Sequence, residues 1–159
     1  MSSQGSNAKK TGNILESQVA AVFEHSGFKN INSATVLMAI VNGDDLSSLG
    51  SRWYTTQIAC ERNLYKAKFK TDIFVFCDTN WPKGLHIECK YQGMGGSVDE
   101  KYVFTAMSLK KLKSPSMLIV TGGGARNCAI EWIRSEETKT FKFCASLDQF
   151  NNWVHQRIK

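Results

Sequence analysis

The chain lacks an apolar run long enough to cross a membrane. No window of its 159 residues reaches the roughly 18 continuous apolar positions of a membrane span. Residues 1–12 are polar and lack the apolar core of a secretion signal, so we interpret them as a flexible N-terminal arm. These absences argue against an integral membrane protein, and we expect no membrane partner.

Cysteine pairing motifs are missing as well. The five cysteines are odd in number, and none stands in C-x-x-C spacing. A zinc site or a disulfide framework is therefore disfavoured, whereas a reducing intracellular compartment fits this usage. We predict a cytoplasmic or nucleoid-associated location.

The signatures of two common enzyme classes are also absent. Three glycines at 122–124 are not followed by the Lys-Ser/Thr pair of a nucleotide-binding P-loop. None of the three histidines lies near a nucleophile motif, so nothing indicates a Ser/His or Cys/His hydrolase.

What the chain does have is an excess of positive charge. Lysine and arginine number 20 against 14 aspartates and glutamates, which gives a net charge of +6. This excess favours a polyanionic partner, and nucleic acid before a membrane surface. A hydrophobic content of 42% over 159 residues is enough to build one core. We therefore predict that residues 13–159 form a single domain.

Residues 68–92 carry the most informative pattern in the chain. An apolar, β-prone run at 73–77 is followed by turn-forming residues at 79–84 and a second apolar run at 85–91. This order predicts two antiparallel strands joined by a tight connection.

Three charged side chains interrupt this apolar hairpin, and their spacing predicts a metal site. Asp72 and Glu88 are equidistant from Asn80 in the turn, so antiparallel pairing places their Cβ atoms ~5 Å apart. Carboxylates that close repel unless a cation lies between them. Mg²⁺ prefers such oxygen ligands, with Mn²⁺ as a substitute, and the backbone carbonyl of Cys89 is a further candidate ligand. Lys90 shares the strand face of Glu88 and is placed to orient or deprotonate a metal-bound water.

The Asp…Glu-x-Lys arrangement resembles the PD-(D/E)XK nuclease superfamily, the fold of many restriction enzymes and Holliday-junction resolvases. The matching residues are Asp72, Glu88 and Lys90, while Thr71 stands where many members have proline. Over residues 12–134, the resemblance implies an α/β fold with an αβββαβ core and a mixed central sheet flanked by helices. It also implies an Mg²⁺-dependent DNA endonuclease of the restriction, homing or junction-resolving type that acts as a homodimer or homotetramer.

The same resemblance suggests further site residues. Many members carry a glutamate in the first helix that reaches the metal, which would be Glu16 here. The alternative is that Glu16 completes a capping box with Asn13 at the start of a helix ending near residue 26. Gln92 would help to hold the metal-bound water or the substrate. Lys101 would contact phosphate or brace Lys90, or else form a capping salt bridge.

Basic and aromatic residues alternate ahead of the hairpin. The set consists of Arg52, Arg62, Lys66, Lys68 and Lys70, interleaved with Trp53, Tyr54 and Tyr65. Such a mixture suits phosphate contacts and base stacking, although a solvated basic face is the alternative. We predict that Arg62, Lys66, Lys68, Lys70 and Lys101 contact nucleic acid.

The other elements follow from periodicity and turn residues. Helices are predicted at 13–26, at 98–113 with Ser97 as its cap, at 129–137 and at 147–158, and strands at 53–61, 68–77, 116–121 and 139–144. Residues 28–41 fit either a strand or a helix, and residues 42–52 read as a loop.

Two other functions remain open at this point. One is a nuclease fold that binds nucleic acid without cutting it; the complete Asp72, Glu88 and Lys90 set argues against that, since relaxed selection has no reason to keep all three. The other is a protein-interaction domain whose basic face meets an acidic partner. Only the nuclease predicts cleavage that depends on a divalent metal.

Overall fold

The computed structural model describes residues 3–93 and 99–158, with side chains from Gly12 onwards. Its helices are α1 Ser3–His25, α2 Ser33–Asn42, α3 Asp99–Lys110, α4 Asn127–Ser135 and α5 Leu147–His155. Its strands are β1 Lys29–Asn30, β2 Arg52–Arg62, β3 Lys68–Cys77, β4 Trp81–Tyr91, β5 Ser116–Thr121 and β6 Phe141–Cys144. The predicted cap Ser97 lies outside the described residues.

The six strands form one mixed sheet in which spatial order follows chain order. Strands β2, β3 and β4 are antiparallel neighbours, whereas β5 and β6 continue the sheet in parallel from β4. A parallel neighbour requires a crossover, and α3 makes it between β4 and β5. The predicted mixed sheet flanked by helices is confirmed.

Helices cover both faces of this sheet. On one face, α1 and α5 bury Val19, Phe23 and Phe150 against strand residues of β3, β4 and β5. On the other, α3 and α4 pack against Leu118 and Val120 of β5. Because successive strand residues face opposite sides, the continuous apolar run of β5 is buried on both. Among the residues that the structure describes, no helix has the length and apolar character needed to cross a membrane.

The first helix begins ten residues earlier than predicted. Helix α1 starts at Ser3, and Asn13 lies inside it, where its carbonyl accepts a hydrogen bond from Ser17 Oγ at 2.8 Å. The predicted capping box of Asn13 and Glu16 is therefore wrong. No proline interrupts residues 3–12, so the polar segment continues the helix. Those residues, predicted as an arm, are helical from Ser3 onwards, while their flexibility stays a prediction.

The ambiguous stretch at 28–41 contains both kinds of element. A two-residue strand, β1, precedes α2, whose first turn is capped when Asn32 Oδ1 accepts a hydrogen bond from Ala34 N at 2.8 Å. Gly43, with φ of 75°, ends the helix in the left-handed conformation. The predicted loop at 42–52 contains a short 3₁₀ helix, Leu46–Leu49.

The hairpin of β3 and β4 has the predicted register but a shorter turn. Ile73 pairs with Ile87 and Val75 with Leu85, so both pairs are centred on Asn80. Strand β4 begins at Trp81, four residues earlier than predicted, because Trp81 is buried in the core against α1 and α5. Gly84 permits this path, since its φ is 82° and a Cβ there would lie 2.0 Å from the ring of Phe74.

Candidate active site

The candidate site lies where β3 and β4 separate. The last pair of their ladder before that point is Ile73 with Ile87. Beyond it, Asp72 Oδ2 accepts a hydrogen bond from the backbone N–H of Cys89 at 2.8 Å. The carboxylate thus replaces a backbone acceptor, and Asp72 does not oppose Glu88 as a ladder pair. Within a strand the N–H and C=O of one residue point to the same side, so the Cys89 carbonyl also faces Asp72.

Glu88 and Lys90 form an ion pair on β4 beside Asp72. Lys90 Nζ lies 2.5 Å from Glu88 Oε2, and the Glu88 residue is only 4% exposed. Burial raises the pKa of Glu88 to about 7; the charge of Lys90 opposes the rise and that of Asp72 adds to it. Burial would lower the pKa of Lys90, but the charges of Glu88 and Asp72 raise it above its usual value. Lys90 is therefore a cation, which suits orienting a water or offsetting phosphate charge better than removing a proton.

Glu16 reaches the same site from α1 through an amide bridge. Gln57 Nε2 donates to Glu16 Oε2 at 2.9 Å and to Asp72 Oδ1 at 3.3 Å. Partial burial, together with the charge of Asp72, raises the pKa of Glu16. Glu16 thus points to the neighbourhood of Asp72, where the resemblance expected a first-helix glutamate to lie.

Gln92 is held between α3 and the glycines that follow β5. Its side-chain Oε1 accepts a hydrogen bond from the Tyr102 hydroxyl, and its backbone bonds to Thr121 O and Gly124 N. A Cβ at Gly122 would lie 2.4 Å from the Gln92 carbonyl oxygen, so only glycine allows this approach. Gln92 is therefore buried and anchored one strand position beyond Tyr91, next to the Lys90 end of the site.

A family model described as the PD-(D/E)XK nuclease superfamily domain matches residues 7–158. The chain belongs to the PD-(D/E)XK nuclease superfamily. The match confirms the family resemblance and extends it through the closing helix α5, beyond the predicted limit at residue 134. Neither a curated protein nor a solved structure gives a significant match.

The residues of this nuclease-superfamily site fit a hard divalent cation. No three or more His, Cys, Asp or Glu side chains form a ready-made metal cluster within residues 3–93 and 99–158. Mg²⁺, however, is usually held by one or two carboxylates and retains several waters. Glu88 carries a raised pKa beside the charge of Asp72, which is the repulsion that a cation between the carboxylates relieves. Asp72 and Glu88 would hold the ion, with Cys89 O and Glu16 as further oxygen donors.

The five side chains predicted to contact nucleic acid are all exposed, namely Arg62, Lys66, Lys68, Lys70 and Lys101. Lys68 and Lys70 alternate along β3 with Asp72. The pKa of Glu16 is raised by burial and by Asp72, and the charge of Lys70 partly offsets that rise. This row therefore leads towards the carboxylates.

The first turn of α3, which contains Lys101, forms an ion pair through Asp99. The Oδ2 atom of Asp99 lies 3.2 Å from Arg126 Nε.

Two of the three aromatic residues proposed for stacking are in the core instead. Trp53 and Tyr54 are at most 1% exposed, because both faces of β2 are covered, by α2 on one side and α1 on the other. The prediction that they line a nucleic-acid surface is wrong. Tyr65, in the loop between β2 and β3, is exposed.

Sequence reasoning missed two residues of the site, Gln57 and Tyr102. Thr56 pairs with Ile73 and Ile58 with Thr71, which places Gln57 at the position facing Asp72. Its φ of 57° is unusual for a residue with a side chain. No local motif marks either residue; only the register of β2 and the packing of α3 bring them to the site.

A cleft of about 710 Å³ extends from the site between α1 and β2. Glu16, Gln57 and Asp72 line its inner end, and Glu24 and Tyr54 line its other end, where the Tyr54 hydroxyl donates to Glu24 Oε1. The carboxylate of Asp72 is therefore accessible from the surface of the α1 face.

Proposed function

We propose that this protein is an Mg²⁺-dependent DNA endonuclease that hydrolyses phosphodiester bonds by means of a metal-activated water. The observation that carries the proposal is the convergence of Asp72, Glu88 and Lys90 at the separation of β3 and β4. A buried carboxylate with a pKa near 7, beside a second carboxylate and a lysine, is costly unless it serves a site.

Each residue has a role that its contacts support. When bound, the ion acts as a Lewis acid towards the phosphate and lowers the pKa of its water. The Cys89 N–H and the Gln57 amide hold the Asp72 carboxylate in one orientation. The Lys90 ammonium donates to Glu88 and is placed to orient the attacking water and to offset charge on the phosphate. Gln92, anchored by Tyr102, is a further candidate for positioning water or substrate.

The exposed basic row supports a nucleic acid as the substrate. Lys68 and Lys70 lie on the same strand as Asp72, and the charge of Lys70 is close enough to act on Glu16. Phosphate contacts of this kind position a nucleic acid but do not read its sequence. The proposal therefore names the substrate class and leaves the target sequence undefined.

The test is cleavage of supercoiled plasmid and of branched DNA in Mg²⁺, Mn²⁺ or EDTA. Lys90→Ala should abolish cutting, whereas Lys83→Ala should not, because Lys83 is an exposed lysine near the opposite end of the same strand. Binding that continues without cutting, whatever the metal and substrate, would favour the inactive nucleic-acid-binding module instead.

We also propose that the protein acts as a homodimer or homotetramer. Support comes from α2, which exposes Met38 and Val41 at 66% and 77% and contains no charged residue. In a chain of net charge +6, an uncharged apolar face lets a second copy approach without repulsion. A stable interface needs about 800 Å² per partner, so α2 would form its centre and not the whole of it.

Light scattering checks this assembly. We expect Met38→Lys with Val41→Lys to lower the measured mass to that of a monomer while circular dichroism stays unchanged. A wild-type protein that is monomeric at micromolar concentration would overturn the proposal.

A further inference from the structure

The loop that joins β2 to β3 has a defined shape held by its own hydrogen bonds. Asn63 Oδ1 accepts from the backbone N–H groups of Tyr65 and Ala67 at 2.9 and 3.1 Å. Arg62 Nη1 donates to the Lys66 carbonyl at 2.7 Å, and Lys66 adopts a φ of 62°. The tip of this hairpin, residues 63–67, is therefore organised before any ligand arrives.

An aromatic pair stands at this tip. The Tyr65 ring stacks on Phe104 of α3, with centroids 5.2 Å apart and an interplanar angle of 26°. Tyr65 is nevertheless 76% exposed, so the ring face away from Phe104 is open to solvent. The Leu64 N–H lies 3.5 Å from Ser108 Oγ, a second contact between the tip and α3. The fold thus presents a supported aromatic surface instead of burying it.

Positive charge flanks Tyr65 on its own hairpin. Arg62, Lys66 and Lys68 flank Tyr65, and residues 62–71 contain no acidic side chain. On α3, Lys101 stands three residues before Phe104 and therefore on the same side of the helix. Exposed aromatic rings among cations that contact phosphates form the usual surface for stacking unpaired bases.

The tip also lies at a useful distance from the site. Ala67 precedes Asp72 by five residues along β3, which corresponds to about 17 Å of extended chain. That length matches about five base pairs of B-form DNA at the rise of one strand. A nucleic acid held at Asp72 therefore needs only about five further base pairs of length to span the distance to the hairpin tip.

We propose that Tyr65, backed by Phe104, stacks on an unpaired base of the substrate, so that the enzyme prefers DNA with a flap, overhang or branch near the cut. The inference rests on the proposed function and adds a substrate class to it. Bases inside a duplex already stack on both neighbours, so an isolated exposed ring finds a base face only at an end or a discontinuity.

Binding in EDTA tests the inference without cleavage. Fluorescence anisotropy would compare a labelled duplex with the same duplex carrying a single-stranded flap. We expect the flap to bind more tightly, and Tyr65→Ala to weaken flap binding by about tenfold while changing duplex binding less than twofold. Tyr65→Phe should keep the preference, and Lys66→Ala should weaken both ligands equally. Quenching of 2-aminopurine in the flap by the wild type, but not by Tyr65→Ala, would show the stacking directly.

The outcomes separate this inference from the proposed nuclease activity. Equal binding of duplex and flap, or equal losses for both in Tyr65→Ala, would overturn the stacking inference even if metal-dependent cleavage is present. Tyr65-dependent flap binding by a protein that never cuts would support the stacking role and overturn the nuclease proposal. Thermal melting of each variant checks that the exposed substitutions leave the fold intact.

Discussion

Two glutamates of the same sheet, the buried Glu88 and the half-buried Glu61, have opposite environments. Glu61 Oε1 lies 3.3 Å from His86 Nε2, and its carboxylate accepts from the backbone N–H groups of Lys113 and Ser114 at 2.8 and 3.4 Å. Burial favours its neutral form, but these donors and the nearby histidine outweigh that and lower its pKa to about 2. Among the described residues, Lys90 donates to Glu88 and a second carboxylate lies beside it, and the pKa of Glu88 rises to about 7.

The difference is the one that we expect between a structural carboxylate and a carboxylate that binds a metal ion. Around Glu61 the fold supplies enough donors to satisfy the negative charge, and the residue ties β2 to the segment after α3. Around Glu88 the described residues supply only the Lys90 ammonium, so we expect a cation from solution to stabilise the ionised form. Partial burial accompanies a lowered pKa at Glu61, so the number of donors, and not burial alone, distinguishes the two carboxylates.

The largest expected effect is on cleavage. Asp72→Asn should reduce the rate of plasmid cutting by about 10² to 10³-fold or more, because it removes one of the two carboxylates that we propose to hold the metal ion. Glu61→Gln should leave the rate within a few-fold of the wild type, since Glu61 belongs to the structural contact. Comparable losses in both variants would contradict the distinction between the candidate site and the structural contact of Glu61.

The next largest effect is on stability, where we expect the Glu61 variant to lose more than the Glu88 variant. Glu61→Ala should lower the free energy of unfolding by about 2 kcal/mol. Two backbone donors lose their acceptor, and the buried His86 loses the carboxylate that lies 3.3 Å from its Nε2. Glu88→Gln should cost little or stabilise the fold, because it removes a poorly compensated buried charge. Urea unfolding at pH 7 measures both, and a larger loss in Glu88→Gln would contradict the assignment.

The pH dependence sharpens the same contrast. The folded pKa of Glu88 lies above its ordinary value of 4.5, so its contribution to stability is present at low pH and is lost as pH rises from about 4.5 to about 7. The folded pKa of Glu61 is lowered, so the contribution of Glu61 to stability is present above pH 4.5 and is lost as pH falls towards about 2. Thermal melts across pH should therefore show the two variants departing from the wild type in opposite directions.

Magnesium provides a further measurement at neutral pH. Binding of Mg²⁺ should raise the melting temperature of the wild type by about 2 to 4 °C for each kcal/mol that it adds to the free energy of unfolding. The Glu61→Gln protein should show the same increment, and Asp72→Asn should show none. An increment that survives in Asp72→Asn would place the ion elsewhere.

The smallest effect concerns Gln92, which the fold holds as firmly as it holds Glu61. Tyr102→Phe removes the hydroxyl that donates to Gln92 Oε1 and should lower the stability by about 1 kcal/mol. We expect a several-fold loss in kcat with little change in KM, since the amide would remain present but turn more freely. An unchanged kcat would show that the orientation of Gln92 does not matter for cutting.

Much of this site can be predicted from local pattern. The alternation in 85–91 puts Glu88 and Lys90 on one strand face, and the equal spacing from Asn80 predicts the register of β3 and β4. The direct pairing of Asp72 with Glu88 could not be predicted, because it depends on where the ladder stops. That point is determined by a side chain bonding to the Cys89 N–H, which has no signature in the sequence.

Other features depended on packing that no short stretch contains. Trp53 and Tyr54 look suited to stacking in sequence, but helices from both sides of the sheet bury them. Gln57 joins Glu16 to Asp72 only because β2 pairs with β3 in one register. Helix α1 likewise begins at Ser3, ten residues before Asn13. A prediction that starts the helix at a capping residue such as Asn13 misses this first part.

By itself, the sequence determined the order of strands and helices outside residues 28–52, the excess of positive charge and the choice of Asp72, Glu88 and Lys90 as candidate site residues, because these follow from composition and short-range spacing. Only the tertiary structure decided which carboxylate is satisfied and which is not. His86 and Glu88 are two residues apart on one strand, yet the donors around Glu61 come from 113–114, and the amide that bridges Glu16 to Asp72 comes from β2. Charge compensation is a property of neighbours in space, and those neighbours come from segments that are distant in the chain.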